Sequence, residues 1–259
     1  MRYWPNLNKR NRFLATLLSM LVLASCGRDA TASQEKPLLQ SETAKPTGSQ
    51  PDVEEIQETW IAVAKGHVTE LVAFERPEGP TIALPFAVPN PHQFGNAMTL
   101  MVTEGDPDDP WVKVQLPSRP NGQQGWIRSS DYQFSSTKIR AEVDLSDTSV
   151  VVYDGNRVIA ETKAVVGSSA TPTPLGTFYV TAKKANQEAY LGPWALALSS
   201  FSEAHETFAG GLPVIAIHGT NRPEQVGDAR SNGCIRIPNE VVTKLAETVP
   251  LGAPVTISA

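Results

Sequence analysis

VIAIHGT at residues 214–220 and RSNGCIR at residues 230–236 are the two stretches that decide the fold of this chain. The first is an apolar run that ends at His218, which predicts a buried strand with a histidine at its end. The second places Cys234 sixteen residues later, among Gly, Ser, Asn and Arg rather than among core residues. We therefore expect a strand and a polar loop to bring these two side chains together.

The pair Cys234 and His218 has the residue types of a nucleophilic site. A thiol is mostly protonated at neutral pH, so a cysteine nucleophile needs a neighbouring imidazole or an electropositive environment that holds the thiolate. His218 is the candidate imidazole, and Arg236 adds positive charge. Gly233 allows a sharp turn that exposes the sulfur and directs backbone N–H groups at a developing oxyanion. Residue types alone leave a structural cysteine and a structural histidine equally open.

Alternation of apolar and polar residues predicts a mainly β protein. Residues 139–145 alternate as in a half-buried strand, and Asp154-Gly155 predicts a hairpin turn. Further strands are predicted at residues 60–64, 68–74, 97–102, 111–116, 125–127, 149–153, 157–166, 176–182, 195–198, 213–217 and 253–257.

One or two short helices complete the prediction. The clearest has Asn239 as its N-cap and ends before Pro250. Its inward face is predicted to consist of Val242, Leu245 and Ala246, which recur at helical spacing.

The N-terminus has the pattern of a bacterial lipoprotein signal. Residues 1–12 are basic, and residues 13–24 form an apolar run shorter than the roughly 20 residues that span a bilayer. Leu23-Ala24-Ser25-Cys26 resembles a lipobox, which predicts cleavage after residue 25 and a diacylglycerol anchor on Cys26. Residues 26–56 are polar and are predicted to form a flexible tether. The alternative is a secreted protein in which Cys26 is incidental.

Composition and charge exclude several classes of function. The formal net charge is −5, so no basic surface is available for the backbone of a nucleic acid. The two cysteines allow at most one disulfide, and lipidation of Cys26 leaves Cys234 without a partner. His67, His92 and His205 have no Asp, Glu or Cys at metal-ligand spacing, so no metal site is predicted.

These motifs together resemble the L,D-transpeptidase catalytic domain of the YkuD type. The likeness rests on His218-Gly219-Thr220 and on residues 231–237, preceded by Gly167 and residues 171–178. Residues 111–127 resemble the end of a bacterial SH3-like barrel. The implied organisation is a signal peptide (1–25), a tether (26–56), a small SH3-like β-barrel (57–134) and a β-sandwich-like catalytic domain (137–258).

The resemblance implies that Cys234 is the nucleophile and His218 the base of an acyl transfer between peptidoglycan stem peptides. Cys234 would attack the carbonyl that precedes the terminal D-Ala of a donor tetrapeptide. The amine of an acceptor stem would then resolve the thioester to a 3→3 crosslink. His218 would pass a proton to the leaving D-Ala and later accept one from the amine. No ATP, metal or other cofactor is implied, because one amide is exchanged for another.

The same likeness implies roles for the neighbouring residues. A hydrogen-bonding group should orient the other nitrogen of the histidine, and both Ser231 and the Gly219 carbonyl are candidates. Asn232, where many relatives have histidine, is a candidate for a substrate or oxyanion contact, and Thr220 is a candidate for the pocket wall. Arg236 has two interpretations, a contact to a substrate carboxylate or an ion pair that braces the loop.

The implied protein is lipid-anchored at the extracytoplasmic face of a bacterial cell envelope and is acylated by carbapenem-type inhibitors. Two other functions stay open from the sequence. One is a wall-binding lipoprotein that holds stem peptides without catalysis, and the other is an L,D-carboxypeptidase in which water replaces the amine. The intact pair of Cys234 and His218 favours an enzyme over a binding protein, because binding needs no reactive thiol.

Overall fold

The computed structural model describes residues 58–92, 95–208 and 210–259. The signal peptide, Cys26 and the tether lie outside the described residues, so these features stay predictions. Within the described part, no helix combines the length and the apolar character needed to cross a membrane.

Five antiparallel strands form the first sheet, in the order β4-β3-β2-β1-β5. They are β1 (Thr59–Ala64), β2 (Thr99–Glu104), β3 (Trp111–Gln115), β4 (Gln124–Arg128) and β5 (Tyr132–Thr137). Val112 and Val114 of β3 are fully buried in the core of this sheet, as their alternation with polar residues predicts. The SH3-like assignment of this region and the domain boundaries stay predictions.

The strand predicted at residues 68–74 is wrong. The segment makes only isolated bridges, at Glu70 and Phe74. The facing residues 77–91 contain five prolines, and proline has no N–H to donate to a continuous ladder. The segment still contributes apolar side chains to the core, among them the buried Leu71.

Eight strands form the second sheet, in the order β14-β12-β11-β10-β15-β6-β7-β8. They are β6 (Ile139–Asp144), β7 (Ser149–Asp154), β8 (Arg157–Lys163), β10 (Gly176–Ala185), β11 (Trp194–Phe201), β12 (Val214–His218), β14 (Ile235–Arg236) and β15 (Pro254–Ser258). Two short parallel strands, β9 (Val166–Gly167) and β13 (Ala229–Ser231), pair with each other beside it. The single strand predicted at residues 157–166 is therefore two strands in different sheets.

Strand β10 joins the two halves of the second sheet. Residues 176–179 pair with β15, and the part from Val180 onward pairs with β11, with a shift of register between Val180 and Ala182. Side chains from both halves, such as Val143 and Ile217, share one buried core. The predicted mainly β, sandwich-like fold is therefore confirmed.

The α-helix, α1 (Asn239–Thr248), packs Val242, Leu245 and Ala246 into this core, as predicted. The predicted N-cap is wrong, because Pro238 occupies the cap position with an extended backbone and Asn239 is the first helical residue. The amide of Asn239 accepts a hydrogen bond from a loop of the candidate site instead.

Candidate active site

His218 ends β12 and is held between two neighbouring strands. It is paired with Ala195 of β11 and with Arg236 of β14, and its side chain is only 4% exposed. The ring nitrogen Nδ1 lies 2.6 Å from the Gly219 carbonyl oxygen. A carbonyl oxygen can only accept, so Nδ1 carries the proton of the neutral ring, and the lone pair lies on Nε2. Of the two predicted partners of this ring, Gly219 is the one that contacts it.

The charge state of His218 follows from its burial. Desolvation lowers the pKa of His218 to about 4, and Arg236 adds to this effect, whereas hydrogen bonds to the Gly219 and Leu191 backbones oppose it. The ring is therefore neutral near pH 7. It is in the tautomer that can accept a proton at Nε2.

The turn after His218 is fixed by the first residue of α1. The Thr220 N–H donates to Asn239 Oδ1 at 2.9 Å, and a Cβ on Gly219 would collide with the same oxygen. The Thr220 hydroxyl accepts from the Arg222 N–H at 3.0 Å. Thr220 thus supports the turn from behind and is not part of the cavity wall.

Gly233 and Ser231 shape the loop that carries Cys234. Gly233 has a φ of 109°, in the region that favours glycine, and a Cβ there would lie 2.9 Å from Ile215 Cδ1. The buried Ser231 hydroxyl donates to the Cys234 carbonyl oxygen at 2.6 Å and accepts from the Gly233 N–H at 3.1 Å. The Gly233 N–H is therefore used within the loop, so it is not free to bind an oxyanion.

Two threonines from the segment before β10 anchor the cysteine loop. Thr173 Oγ1 donates to the Gly233 carbonyl oxygen and accepts from the Gly167 N–H, both at 2.9 Å. Thr171 Oγ1 donates to the Ser231 carbonyl oxygen at 2.8 Å. These contacts explain in physical terms why residues 167–173 accompany the cysteine motif in the sequence.

The sheet register brings Cys234 and His218 to the same face. Strands β12 and β14 run parallel, with Ile217 opposite Ile235 and His218 opposite Arg236. Because side chains alternate along a strand, Cys234 shares the face of His218, while both isoleucines are buried in the core. Strand rise and spacing put the Cα atoms of Cys234 and His218 about 8 Å apart. Both side chains line one cavity of about 280 Å³.

Cys234 is a half-buried free thiol. Burial raises the pKa of Cys234, and a hydrogen bond from the Ala216 backbone and the charge of Arg236 oppose this effect. The resting pair is therefore a neutral thiol and a neutral imidazole, not the thiolate held by positive charge that the sequence suggested. The thiol must lose its proton during attack rather than before it.

The cavity contains two cations and, among the described residues that line it, no carboxylate. Arg222 and Arg236 both line the cavity. Neither arginine forms an ion pair with another described residue. This arrangement favours a contact of Arg236 with a substrate carboxylate over the alternative of a bracing ion pair.

The predicted site residues fall into two groups. Those that line the cavity are Cys234, His218, Arg236 and the exposed Asn232, and those that support it from behind are Gly219, Thr220, Ser231 and Gly233. The sequence analysis missed Leu191, Phe208 and Arg222. Only Arg222 had a usable signal, since it lies four residues after His218 in the same polar loop. In the described part of the chain, no three metal-ligating side chains cluster.

Residues 138–257, which contain this fold and this site, match the family model of the L,D-transpeptidase catalytic domain. This part of the chain is therefore similar to L,D-transpeptidase catalytic domains. The family is the one called YkuD.

Two curated relatives and one solved structure illustrate the match. The putative L,D-transpeptidase YkuD of Bacillus subtilis is 39% identical over 103 residues, which are 40% of this chain and 56% of that protein. Its Bacillus licheniformis counterpart is 34% identical over 119 residues, 46% of this chain and 65% of that protein. A crystal structure of an Enterococcus faecium L,D-transpeptidase mutant is 26% identical, with 46% of this chain and 49% of that chain covered and a TM-score of 0.37. This chain thus spans less than two thirds of the length of either curated relative.

Proposed function

We propose that this chain is a peptidoglycan L,D-transpeptidase that acts through a thioester on Cys234. The observation that carries the proposal is the shared cavity, in which a thiol and a neutral imidazole lie beside two arginines that form no ion pair with a described residue. The family assignment of residues 138–257 supplies the substrate class, the stem peptides of peptidoglycan.

In the first half-reaction, Cys234 Sγ attacks the carbonyl carbon before the terminal D-Ala of a donor stem. The thiol proton passes to His218 Nε2 as the carbon–sulfur bond forms, since the thiol is protonated at rest. The carbon–nitrogen bond then breaks, and the leaving amine of D-Ala takes the proton from Nε2. The Nδ1–H bond to the Gly219 carbonyl stabilises the transient imidazolium and fixes the ring.

The two arginines bind the donor. Arg222 and Arg236 offer guanidinium groups, which pair with carboxylates in a planar, bidentate geometry. A stem tetrapeptide presents the carboxylate of its terminal D-Ala beside the scissile amide. Holding that carboxylate places the carbonyl at Sγ and turns the attack into an intramolecular step.

In the second half-reaction, the amine of an acceptor stem replaces the thioester sulfur and gives a 3→3 crosslink. Carbapenem-type inhibitors present a reactive cyclic amide to the same sulfur and should leave a stable adduct on Cys234. Water in place of the amine would make the protein an L,D-carboxypeptidase.

Mass spectrometry of disaccharide stem tetrapeptides incubated with the full chain tests this function. Crosslinked dimers are the expected product, and Cys234→Ala should abolish them together with the carbapenem adduct. Trimmed tripeptides alone would identify a carboxypeptidase. Unchanged substrate, or a fully active Cys234→Ala variant, would identify a binding protein or another nucleophile.

We further propose that a lipid on Cys26 anchors the chain at the extracytoplasmic face of the envelope. The lipobox-like sequence before this cysteine supports the proposal. Mass spectrometry of the N-terminal peptide from the wild-type chain expressed in bacteria should show residues 1–25 removed and a diacylglycerol on Cys26, and Cys26→Ala should carry no lipid. A wild-type chain with an unmodified Cys26 would overturn the anchor without affecting the catalytic proposal.

A further inference from the structure

The two arginines of the catalytic cavity lie at different depths. Arg236 is half-buried, and the register of β12 and β14 places it opposite His218, on the face that also carries Cys234. Burial is the main cause of the shifted pKa values of this cysteine and this histidine, and the charge of Arg236 lowers both values. Arg222 is exposed and lines the cavity from the loop that follows β12. Arg236 thus adjoins the reacting groups, whereas Arg222 lies at the rim.

The guanidinium of Arg222 has no counter-charge in the described part of the chain. The backbone N–H of Arg222 donates to the Thr220 hydroxyl at 3.0 Å, which fixes the main chain here, but the side chain forms no ion pair with a described residue. Arg230, which also lies close to Cys234 in the sequence, differs in both respects. It does not line the cavity, and its charge is paired with Asp228 at 3.0 Å.

A donor with a single carboxylate does not match the two charges of the cavity. The carboxylate of the terminal D-Ala lies beside the scissile amide, so it pairs with the arginine that adjoins the reacting groups, Arg236. Charged groups of a binding site are generally complementary to those of the ligand, which leaves Arg222 to be matched by a second anionic group. The diamino acid that precedes D-Ala extends its side chain away from the scissile bond. A carboxylate at the far end of that side chain can reach the rim.

The rest of the cavity wall suits the aliphatic part of such a side chain. Tyr190, Leu191 and Phe208 line the same cavity of about 280 Å³. Tyr190 and Phe208 are 60% and 51% exposed, so their apolar surface is open to a ligand. The cavity therefore combines an apolar wall with a positive charge at its rim. A chain of methylene groups that ends in a carboxylate has the matching arrangement.

We propose that Arg222 selects donor stems whose diamino acid carries a free carboxylate at the end of its side chain. This inference rests on the proposed transpeptidase function and specifies the substrate class of the same site. Stems in which this carboxylate is an amide, or in which the diamino acid is lysine, lack the charge that Arg222 binds. Such stems are poorer donors, although they share the D-Ala carboxylate that Arg236 binds.

Thioester formation by the full chain with matched donor tetrapeptides tests this selection. Three donors differ only at the end of the side chain of the diamino acid, which carries an amine with a carboxylate, an amine with an amide, or an amine alone. The mass of the intact protein follows the adduct on Cys234 at donor concentrations below saturation. At low salt, the wild-type chain should react about fivefold faster with the carboxylate donor, because an exposed ion pair contributes little more than that. At about 1 M salt, screening should remove most of the difference.

Replacement of each arginine separates the two roles. Arg222→Gln should react with the three donors at equal rates, whereas Arg222→Lys keeps the charge and should keep part of the preference. Arg236→Gln should slow the reaction of all three donors and keep the preference, because they share the D-Ala carboxylate. Arg230→Gln is the matched control, since the charge of Arg230 is already paired with Asp228, and it should behave as wild type.

The outcomes distinguish this selection from the underlying function. A wild-type chain that forms no adduct with any of the three donors overturns the transpeptidase proposal and this inference with it. Adducts that form at equal rates, or faster from the amide or lysine donor, overturn only the role of Arg222. A preference that survives in Arg222→Gln, that disappears in Arg236→Gln, or that high salt leaves unchanged also overturns it.

Discussion

At the scale of single residues, the proposed function depends on which ring nitrogen of His218 carries the proton. His218→Gln keeps an amide that can donate to the Gly219 carbonyl but removes the basic nitrogen. Acylation of Cys234 by a carbapenem should therefore slow by about 100-fold or more, as measured by the rate at which the adduct mass appears. His67→Gln, an exposed histidine, is the matched control and should acylate normally. An unchanged rate in His218→Gln would mean that another group takes the thiol proton.

The neutral state of both groups also predicts two different pH profiles. Because burial raises the pKa of Cys234, iodoacetamide labelling should have its midpoint above the ordinary thiol value of about 8.5. Carbapenem acylation, in which His218 accepts the proton, should stay level at neutral pH and fall only as the pH approaches about 4. The same profile for both reagents would show that a preformed thiolate reacts in each case.

At the scale of elements, the catalytic turn depends on how α1 docks beside β12. Asn239→Ala leaves the Thr220 N–H without its acceptor, which should cost about 1–3 kcal/mol of stability and slow acylation of Cys234. Denaturant unfolding and the adduct assay measure the two effects. Thr243→Ala, which removes only an exposed bond to the Asn239 carbonyl, is the control and should change neither. Equal effects of both variants would mean that helix stability, rather than the turn, is affected.

Much of the second sheet was predictable because its strands alternate cleanly and its motif residues lie at strand ends. The strand before His218 and the inward face of α1 follow directly from the spacing of apolar residues. The cap position of Asn239 was not predictable, since the acceptor role of its amide depends on a turn that is distant in sequence.

At the scale of the whole molecule, the two sheets share buried contacts. Tyr179 of β10 is fully buried in the core cluster of the first sheet. Gln115 of β3 donates to the Thr177 carbonyl oxygen at 2.6 Å and accepts from the Ser199 hydroxyl at 2.8 Å. The described residues all belong to one compact unit. The first sheet therefore packs against the sheet that carries the candidate site.

The buried, neutral His218 makes the stability of this unit depend on pH. Its pKa of about 4 in the folded protein lies below the value of about 6.5 in the unfolded chain. Between these values the unfolded chain binds more protons than the folded protein, so the free energy of unfolding falls as the pH is lowered. The stabilising contribution of the neutral His218 is fully present above about pH 6.5. The contribution of His218 between pH 7 and pH 5 is about 2 kcal/mol.

Comparison of wild type with His218→Gln isolates this contribution. Burial also lowers the pKa of His92, which acts in the same direction but is present in both proteins. Asp144 and Asp147, whose pKa values are lowered by hydrogen bonds, lose their contributions only at more acidic pH. Denaturant unfolding at pH 7 and at pH 5 should therefore show a drop about 2 kcal/mol smaller in His218→Gln than in wild type. Equal drops in the two proteins would mean that the folded protein binds a proton at His218 by pH 5. The pKa of His218 would then not be lowered by burial, which contradicts the neutral base of the proposed mechanism.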